Sequence, residues 1–312
     1  MTEPTFSPRT ASLLSGDDVA DRRLDHARGY ATAGEPAAAA ELMEQALERV
    51  PDWAVGWFVL GEFREAAGDR DGAIAAWERA TALDPDDRCG AVLRLARLGA
   101  RAAPDAPPAA HVRDLFDGYA PRFEASLVGK LGYRTPERLA EAIEARAPGR
   151  IFAEGLDLGC GTGLMARALG PRVGALDGVD LSPAMIEVAR ASGLYRRLVV
   201  DGLDAELGRR DAGSVDLVTA ADVFCYLGDL GGVFAAVARV LAPGGIFAFS
   251  VEKAGDGGEV VLRDSLRYGH GRGHVEDAAT RVGLTALAVE QTVLRRDRDV
   301  DVAGLLGVFT KS

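Results

Sequence analysis

Between an apolar run and a helical one, this chain places an acid and then glycine at alternate positions, Asp157-Leu-Gly159-Cys-Gly161-Thr-Gly163. A strand that ends in such a run must turn sharply into the helix predicted over Leu164–Leu169. Glycine, which lacks a side chain, lets a ligand approach the main chain at that turn. Two cofactor classes fit the spacing. A dinucleotide fingerprint is satisfied loosely by Gly161, Gly163 and Ala166, with Asp180 following as the ribose acid. The alternative is the acid followed by glycines at every second position, in which Asp157 takes part.

The rest of the C-terminal region alternates short apolar segments with helical ones, which predicts a parallel sheet covered on both faces. Strands are expected at the end of Ile151–Leu158 and over 175–179, 197–200, 215–220 and 246–251. Asp180 ends the second strand, ahead of Leu181, a capping Ser182, Pro183 and Met185. Asp201-Gly202-Leu203-Asp204 follows the third, and Ala221-Asp222 with Phe224, Cys225 and Tyr226 follows the fourth. A helix over 230–241 stops at Ala242-Pro243-Gly244-Gly245, which ends it and turns the chain. Strands 286–294 and 302–310 form a closing hairpin around the charged turn Arg295–Asp299.

Together these landmarks resemble the class I S-adenosylmethionine-dependent methyltransferases: Asp157 to Gly163 as motif I, Ser214-Val-Asp216-Leu-Val218 as the strand after the cofactor, Leu241-x-Pro-Gly-Gly245, and the terminal strand pair. The resemblance implies a doubly wound, seven-stranded Rossmann-like sheet with an antiparallel last strand, and S-adenosylmethionine as cofactor. It further implies cofactor contacts from Asp157, Gly159, Gly161 and Gly163, from Asp180 with Leu181 and Met185, from Asp201, Gly202 and Leu203 at the adenine, and from Ala221 and Asp222 at the ammonium. Asp201 is preferred to Asp204 because it directly follows its strand. Phe224 and Tyr226 would line the acceptor pocket, and Cys225 is expected to be a buried thiol.

The segment 252–273 is expected to be a loop, with the next helix over 275–282. Its His270, and His274 beyond it, are candidate general bases, since imidazole titrates near neutrality. A metal site shared by the two histidines is not expected, because a helix would have to extend back over two glycines to join them.

The N-terminal third carries an internal repeat. Ala27, Tyr30, Ala39, Ala46 and Pro51 are echoed 34 positions later by Gly61, Arg64, Ala73, Ala80 and Pro85, with Tyr30 against Arg64 the one mismatch in type. With Trp57, Leu60 and Trp77, the second unit resembles the tetratricopeptide repeat. Units are expected over Ala20–Trp53 and Ala54–Asp87, with a capping helix over 88–101. So short an array is either a surface for a protein partner or a packing appendage. The expected divisions are a disordered tail (1–19), the repeat domain (20–102), a Pro-rich linker (103–110) and the catalytic domain (111–312). The last opens with a helical segment (111–147). Leu115-Phe116-Asp117-x-Tyr119-Ala120-x-x-Phe123-Glu124 resembles the lid that many small-molecule methyltransferases place before motif I. That likeness makes Tyr119 a lid ligand for the methionine carboxylate, with Arg134 a second candidate.

A formal charge of −11 argues against a broad grip on nucleic acid or an anionic membrane. The three cysteines are dispersed and suggest neither a disulfide framework nor a zinc cage, which fits a reducing cytoplasm. No signal-peptide pattern or bilayer-length apolar run is seen. The expected function is methyl transfer to a small-molecule or carrier-bound acceptor. An NAD-dependent oxidoreductase and a non-catalytic adaptor that retains the fold are the rivals.

Overall fold

The computed structural model describes residues 14–120, 123, 132–255, 259–297 and 300–312. They fall into two compact units, Met1–Gly118 and Tyr119–Ser312.

In the first unit, helices α1 (Asp18–Thr32) and α2 (Pro36–Arg49) are followed by α3 (Ala54–Ala66) and α4 (Arg70–Leu83). The first helix of each pair ends at Thr32 or Ala66 and the second at Arg49 or Leu83, so both keep the 34-residue period. Asp17 caps α1 by accepting from the Val19 and Ala20 amides, so helix begins inside the expected tail. The small residues of the repeat lie where helices touch: Ala27, Ala39, Ala46 and Ala73 are fully buried. Trp77 is also fully buried, and its indole N–H donates to the Phe58 carbonyl at 3.1 Å. The capping helix is shorter than expected. It is α5 (Ala91–Arg97), which starts after a left-handed Gly90 and is capped by the Asp87 carboxylate on the Ala91 and Val92 amides. Helix α6 (Ala109–Tyr119) follows, and the division between the units falls at its end, beyond the Pro-rich run. His111 of α6 hydrogen-bonds the Arg88 carbonyl at 3.0 Å, which ties its start to the helical unit.

The second unit opens, after residues partly outside the described set, with α7 (Thr135–Arg146). Thr135 does not cap this helix; its hydroxyl donates to the Leu294 carbonyl at 3.4 Å. Strands β1 (Phe152–Leu158), β2 (Val173–Asp180), β3 (Arg197–Val200), β4 (Val215–Ala220) and β5 (Leu241–Lys253) alternate with α8 (Leu164–Leu169), α9 (Pro183–Ala191), α10 (Leu203–Arg209) and α11 (Gly231–Val240). Beyond them come β6 (Val261–Leu262), β7 (Tyr268–His270), α12 (Arg272–Arg281), β8 (Leu284–Asp297) and β9 (Val300–Lys311).

The parallel order is β3-β2-β1-β4-β5, and β9 runs antiparallel along β5 with β8 outside it. That is the expected doubly wound sheet with an antiparallel last strand. Among the described residues the sheet holds nine strands, because β6 and β7 form within the stretch expected to be a loop. β5 outlasts β4: their pairing ends at Ala220 and Phe249, while β9 follows the other side of β5 as far as Glu252. β7 pairs with Glu252 and Lys253 on the side that β4 has vacated. The Pro243-Gly244-Gly245 turn is absorbed into β5 as an irregularity of register. Side chains alternate along the strands. Phe247 and Phe249 pack with α11 and α12 through Phe234 and Val275, and Ile246 and Ala248 pack with α7 and α8 through Leu139 and Met165. Among the described residues no helix is long and apolar enough to cross a membrane.

Candidate active site

The loop after β1 is left-handed at all three glycines, with φ of +61°, +52° and +91° at Gly159, Gly161 and Gly163. Other residues adopt such angles only with strain. Their surroundings differ. A Cβ on Gly159 would lie 2.5 Å from Val223, and one on Gly163 would lie 3.2 Å from Tyr195, whereas one on Gly161 would meet nothing within 4 Å. The loop is therefore packed at both ends and open in the middle. The Cys160 amide donates to the Val179 carbonyl and the Gly161 amide to Asp180 Oδ2 at 2.9 Å, which joins the loop to the tip of β2. Asp180 Oδ1 accepts from the Ser182 amide at 2.9 Å, and Ser182 caps α9 on the Met185 amide. Two main-chain donors thus aim this carboxylate. Beside it the Thr162 hydroxyl is buried with no protein partner, an orphan suited to a polar ligand atom.

Asp157 lies beneath the loop. It is fully buried and accepts from the Tyr195 hydroxyl at 2.6 Å and from Thr219 at 2.8 Å; burial pushes its carboxyl up to about 6. Both oxygens are thus engaged within the protein. Tyr195 and Thr219, which aim this expected cofactor-contact residue, carried no sequence signal for this task. At the next strand end, Asp201 takes the Arg209 guanidinium and the Gly202 amide, each at 2.7 Å, and Arg209 holds it below the usual carboxylate range. Its own amide donates to the Asp180 carbonyl, which sets Gly202 and Leu203 at the start of α10 beside the tip of β2.

Past β4, Asp222 adopts a left-handed φ of +57°, a strained angle for a side chain of this kind. Ser250 secures it twice, donating to Oδ1 at 2.9 Å and accepting from the Asp222 amide at 2.8 Å. Arg295 donates to Asp222 Oδ2 at 3.1 Å and also pairs with Glu252. This arginine was expected in the charged turn between the last two strands. It is instead 6% exposed, because β8 continues through it to Asp297. Burial alone would raise the Glu252 carboxyl; Arg295 and then Arg267 outweigh it and hold the group low. Tyr226 lies under Arg267, 5.3 Å from guanidinium to ring centroid, and burial pushes its hydroxyl up to about 12. The Cys225 thiol is pushed up to about 12 by burial and is no nucleophile.

His270 and His274 are neighbours after all, because β7 and α12 bring their rings to a centroid distance of 5.5 Å. His270 is fully buried, and burial pushes it down to about 4. Its Nε2 lies 3.2 Å from the Phe224 carbonyl, which can only accept, so that nitrogen carries the proton. Such a ring suits a support for the turn at 224–226 better than a base. Arg134 is 62% exposed and faces Glu141 at 3.9 Å. Tyr119 packs edge-on against Phe123, with centroids 5.5 Å apart; residues 121–122 and 124–131 of the expected lid lie outside the described residues.

The open glycine, the orphan hydroxyl and the aimed Asp180 fit a nucleoside-bearing cofactor. Residues 156–249 match the family model described as a methyltransferase domain. Residues 156–249 are therefore a methyltransferase domain as that family defines it. Methyltransferase-like protein 27 of Homo sapiens is 37% identical over 131 residues, which are 41% of this chain and 53% of that one. The chain thus spans about half the length of that curated relative. The TPR repeat-containing protein PA0015 of Pseudomonas aeruginosa is 41% identical over 78 residues, 24% of this chain and 74% of that one. At that identity and coverage this chain belongs with that protein over the shared stretch. A solved structure described as the [4+2]-cyclase SpnF matches with a TM-score of 0.52 at 17% identity, covering 67% of this chain and 99% of that one, which shows a common fold.

Proposed function

We propose that the chain transfers the methyl group of S-adenosylmethionine to a small-molecule or carrier-bound acceptor. The observation that carries this is the Asp180 carboxylate, held at the tip of β2 by the Gly161 and Ser182 amides beside an open glycine. In this reading Asp180 accepts from the ribose hydroxyls, the Gly161–Thr162 backbone and hydroxyl meet the methionine part, and Asp201 with the Gly202–Leu203 backbone borders the adenine. Asp157 acts through Tyr195 and Thr219 by holding the loop from below. Ala221 and Asp222 border the ammonium, Tyr226 borders the acceptor, and Tyr119 closes over the site.

The cofactor supplies a methyl group on a positive sulfur, which is a good leaving group. The protein's part is alignment and the exclusion of water. Ala166, whose match to a dinucleotide fingerprint raised the NAD alternative, is a packing residue in the core with Met165 and Leu169. The helical unit, in the same reading, is a two-repeat scaffold of the tetratricopeptide kind that offers a surface to a protein partner.

Calorimetry tests the cofactor reading. S-adenosylhomocysteine is expected to bind the full chain and NAD is not, and Asp180→Ala is expected to weaken S-adenosylhomocysteine about tenfold or more by removing a charge-assisted hydrogen bond. Binding of NAD alone would overturn the proposal.

A further inference from the structure

Where β4 stops and β5 continues, three guanidiniums converge on two carboxylates. Glu252, at 2% exposure, pairs with Arg263 at 3.1 Å, with Arg267 at 3.4 Å and with Arg295. Arg295 also holds Asp222. Taking these charges out of water costs several kcal/mol per ion, so hydrophobic residues would serve stability as well. β8 also shifts register between Val293 and Arg295, where the guanidinium enters.

The three arginines are not equivalent. Arg295 has both carboxylates and is almost wholly enclosed. Arg263 and Arg267, from the hairpin of β6 and β7, share Glu252 with it, and their side chains keep 36% and 29% exposure. Among the described residues the cluster therefore counts one more guanidinium than carboxylate, and its cationic side is the side that reaches water. Its position is informative as well. Val223 packs against Gly159 of the cofactor loop, so the segment carrying Asp222 and Tyr226 lies directly alongside that loop. Arg267 also covers the Tyr226 ring. A single surplus charge beside a phenol matches a monoanion better than a phosphate dianion, and a guanidinium fork matches a carboxylate in shape.

We propose that Arg267, backed by Arg263, binds a carboxylate of the methyl acceptor, and that the acceptor is a small monoanionic molecule carrying both the carboxylate and the atom to be methylated. The Glu252–Arg295–Asp222 chain is the rigid support that orients these arginines. This rests on the cofactor reading above and adds the acceptor's chemical class to it.

The test uses the full chain loaded with S-adenosylhomocysteine, whose binding is measured first by calorimetry. Failure at that step sinks the cofactor reading and this inference with it. Ligand-observed NMR then compares 4-hydroxybenzoate with 4-hydroxybenzamide, anthranilate with anthranilamide, and 3-hydroxybutyrate with its amide. In at least one pair the carboxylate is expected to bind about tenfold more tightly than its amide, and Arg267→Gln is expected to abolish that preference. S-adenosylhomocysteine binding should remain that of the parent, and a cooperative melting transition, at a lower temperature because Glu252 loses a partner, shows that Arg267→Gln is folded. Arg267→Lys should keep part of the preference, and Arg263→Gln, at the more exposed arginine, should reduce it. If the amides bind as well as the carboxylates, if neither member of any pair binds, or if folded Arg267→Gln retains the preference, the cluster is a structural lock and the inference is wrong.

Discussion

Glycine does opposite work in the two units. In α3, Gly61 is helical and exists to be touched: a Cβ there would lie 2.4 Å from the Trp77 indole nitrogen, in the middle of a packed helix pair. In the loop after β1, Gly161 is left-handed and open on its side-chain face, since a Cβ would meet no atom within 4 Å. One position serves packing density and the other serves backbone conformation and ligand access. A glycine's meaning thus lies in what its missing side chain would have hit. The units differ in their charges as well. The helical unit holds its core by apolar and aromatic contact with ion pairs beside it, such as the largely buried Arg94 with Glu62 at 2.9 Å, while the sheet unit carries an enclosed charge cluster at its strand ends.

The largest effect is expected at Trp77, at the centre of the helical unit's core. Trp77→Ala should cost the helical unit about 3–5 kcal/mol, as removal of a fully enclosed aromatic does, and leave S-adenosylhomocysteine affinity within about twofold. Urea unfolding with calorimetry on the same variant checks both. Gly61→Ala tests the packing glycine: with Trp77 rigid and enclosed, overpacking should cost about 1–3 kcal/mol, again with little change in cofactor affinity. Gly161→Ala should invert the pattern. The left-handed angle costs about 1–2 kcal/mol, and cofactor affinity should fall about tenfold or more because the methyl occupies the open side of the loop. Equal effects of the two alanines on affinity would erase the distinction between the glycines.

The smallest effects concern pH, and they have opposite signs at Glu62 of the helical unit and His270 of the sheet unit. Burial pushes Glu62 up to about 7, against Arg94 and Arg28. A folded carboxyl that keeps its proton gives its full contribution below the ordinary value of 4.5 and loses it as pH rises through 7. His270, pushed down to about 4, contributes fully above 6.5 and loses that as pH falls through 4. Melting temperatures across this range should therefore show Glu62→Gln flattening a decline toward high pH and His270→Gln flattening a decline toward low pH. Asp157, raised to about 6, acts in the same direction as Glu62, so the informative quantity is the difference between each variant and the parent.

Much of this arrangement was legible in the residues alone. The strand and helix alternation, the cap at Ser182, the repeat period and the glycine loop each depend on neighbours within a few positions or on a simple periodicity. The misreadings share one cause. Five consecutive charged residues at Arg295–Asp299 normally mark a solvated turn, and nothing local says that Arg295 will meet Asp222 and Glu252. Tyr195 is an isolated aromatic in a polar connection, yet it holds Asp157. Parts of the loop expected across 252–273 become strand because β5 runs past β4 and leaves an unpaired edge for β7 to fill.

By itself, then, the sequence determined the class of fold, the glycine loop and the placing of Asp180, because left-handed angles, caps and side-chain periodicity are properties of a residue and its chain neighbours. Only the tertiary structure decided that Asp157 is a support beneath the loop, that His270 and His274 stack, and that Arg295 closes on two carboxylates. Those outcomes depend on which strand ends meet across the sheet, and on the low-dielectric surroundings created there.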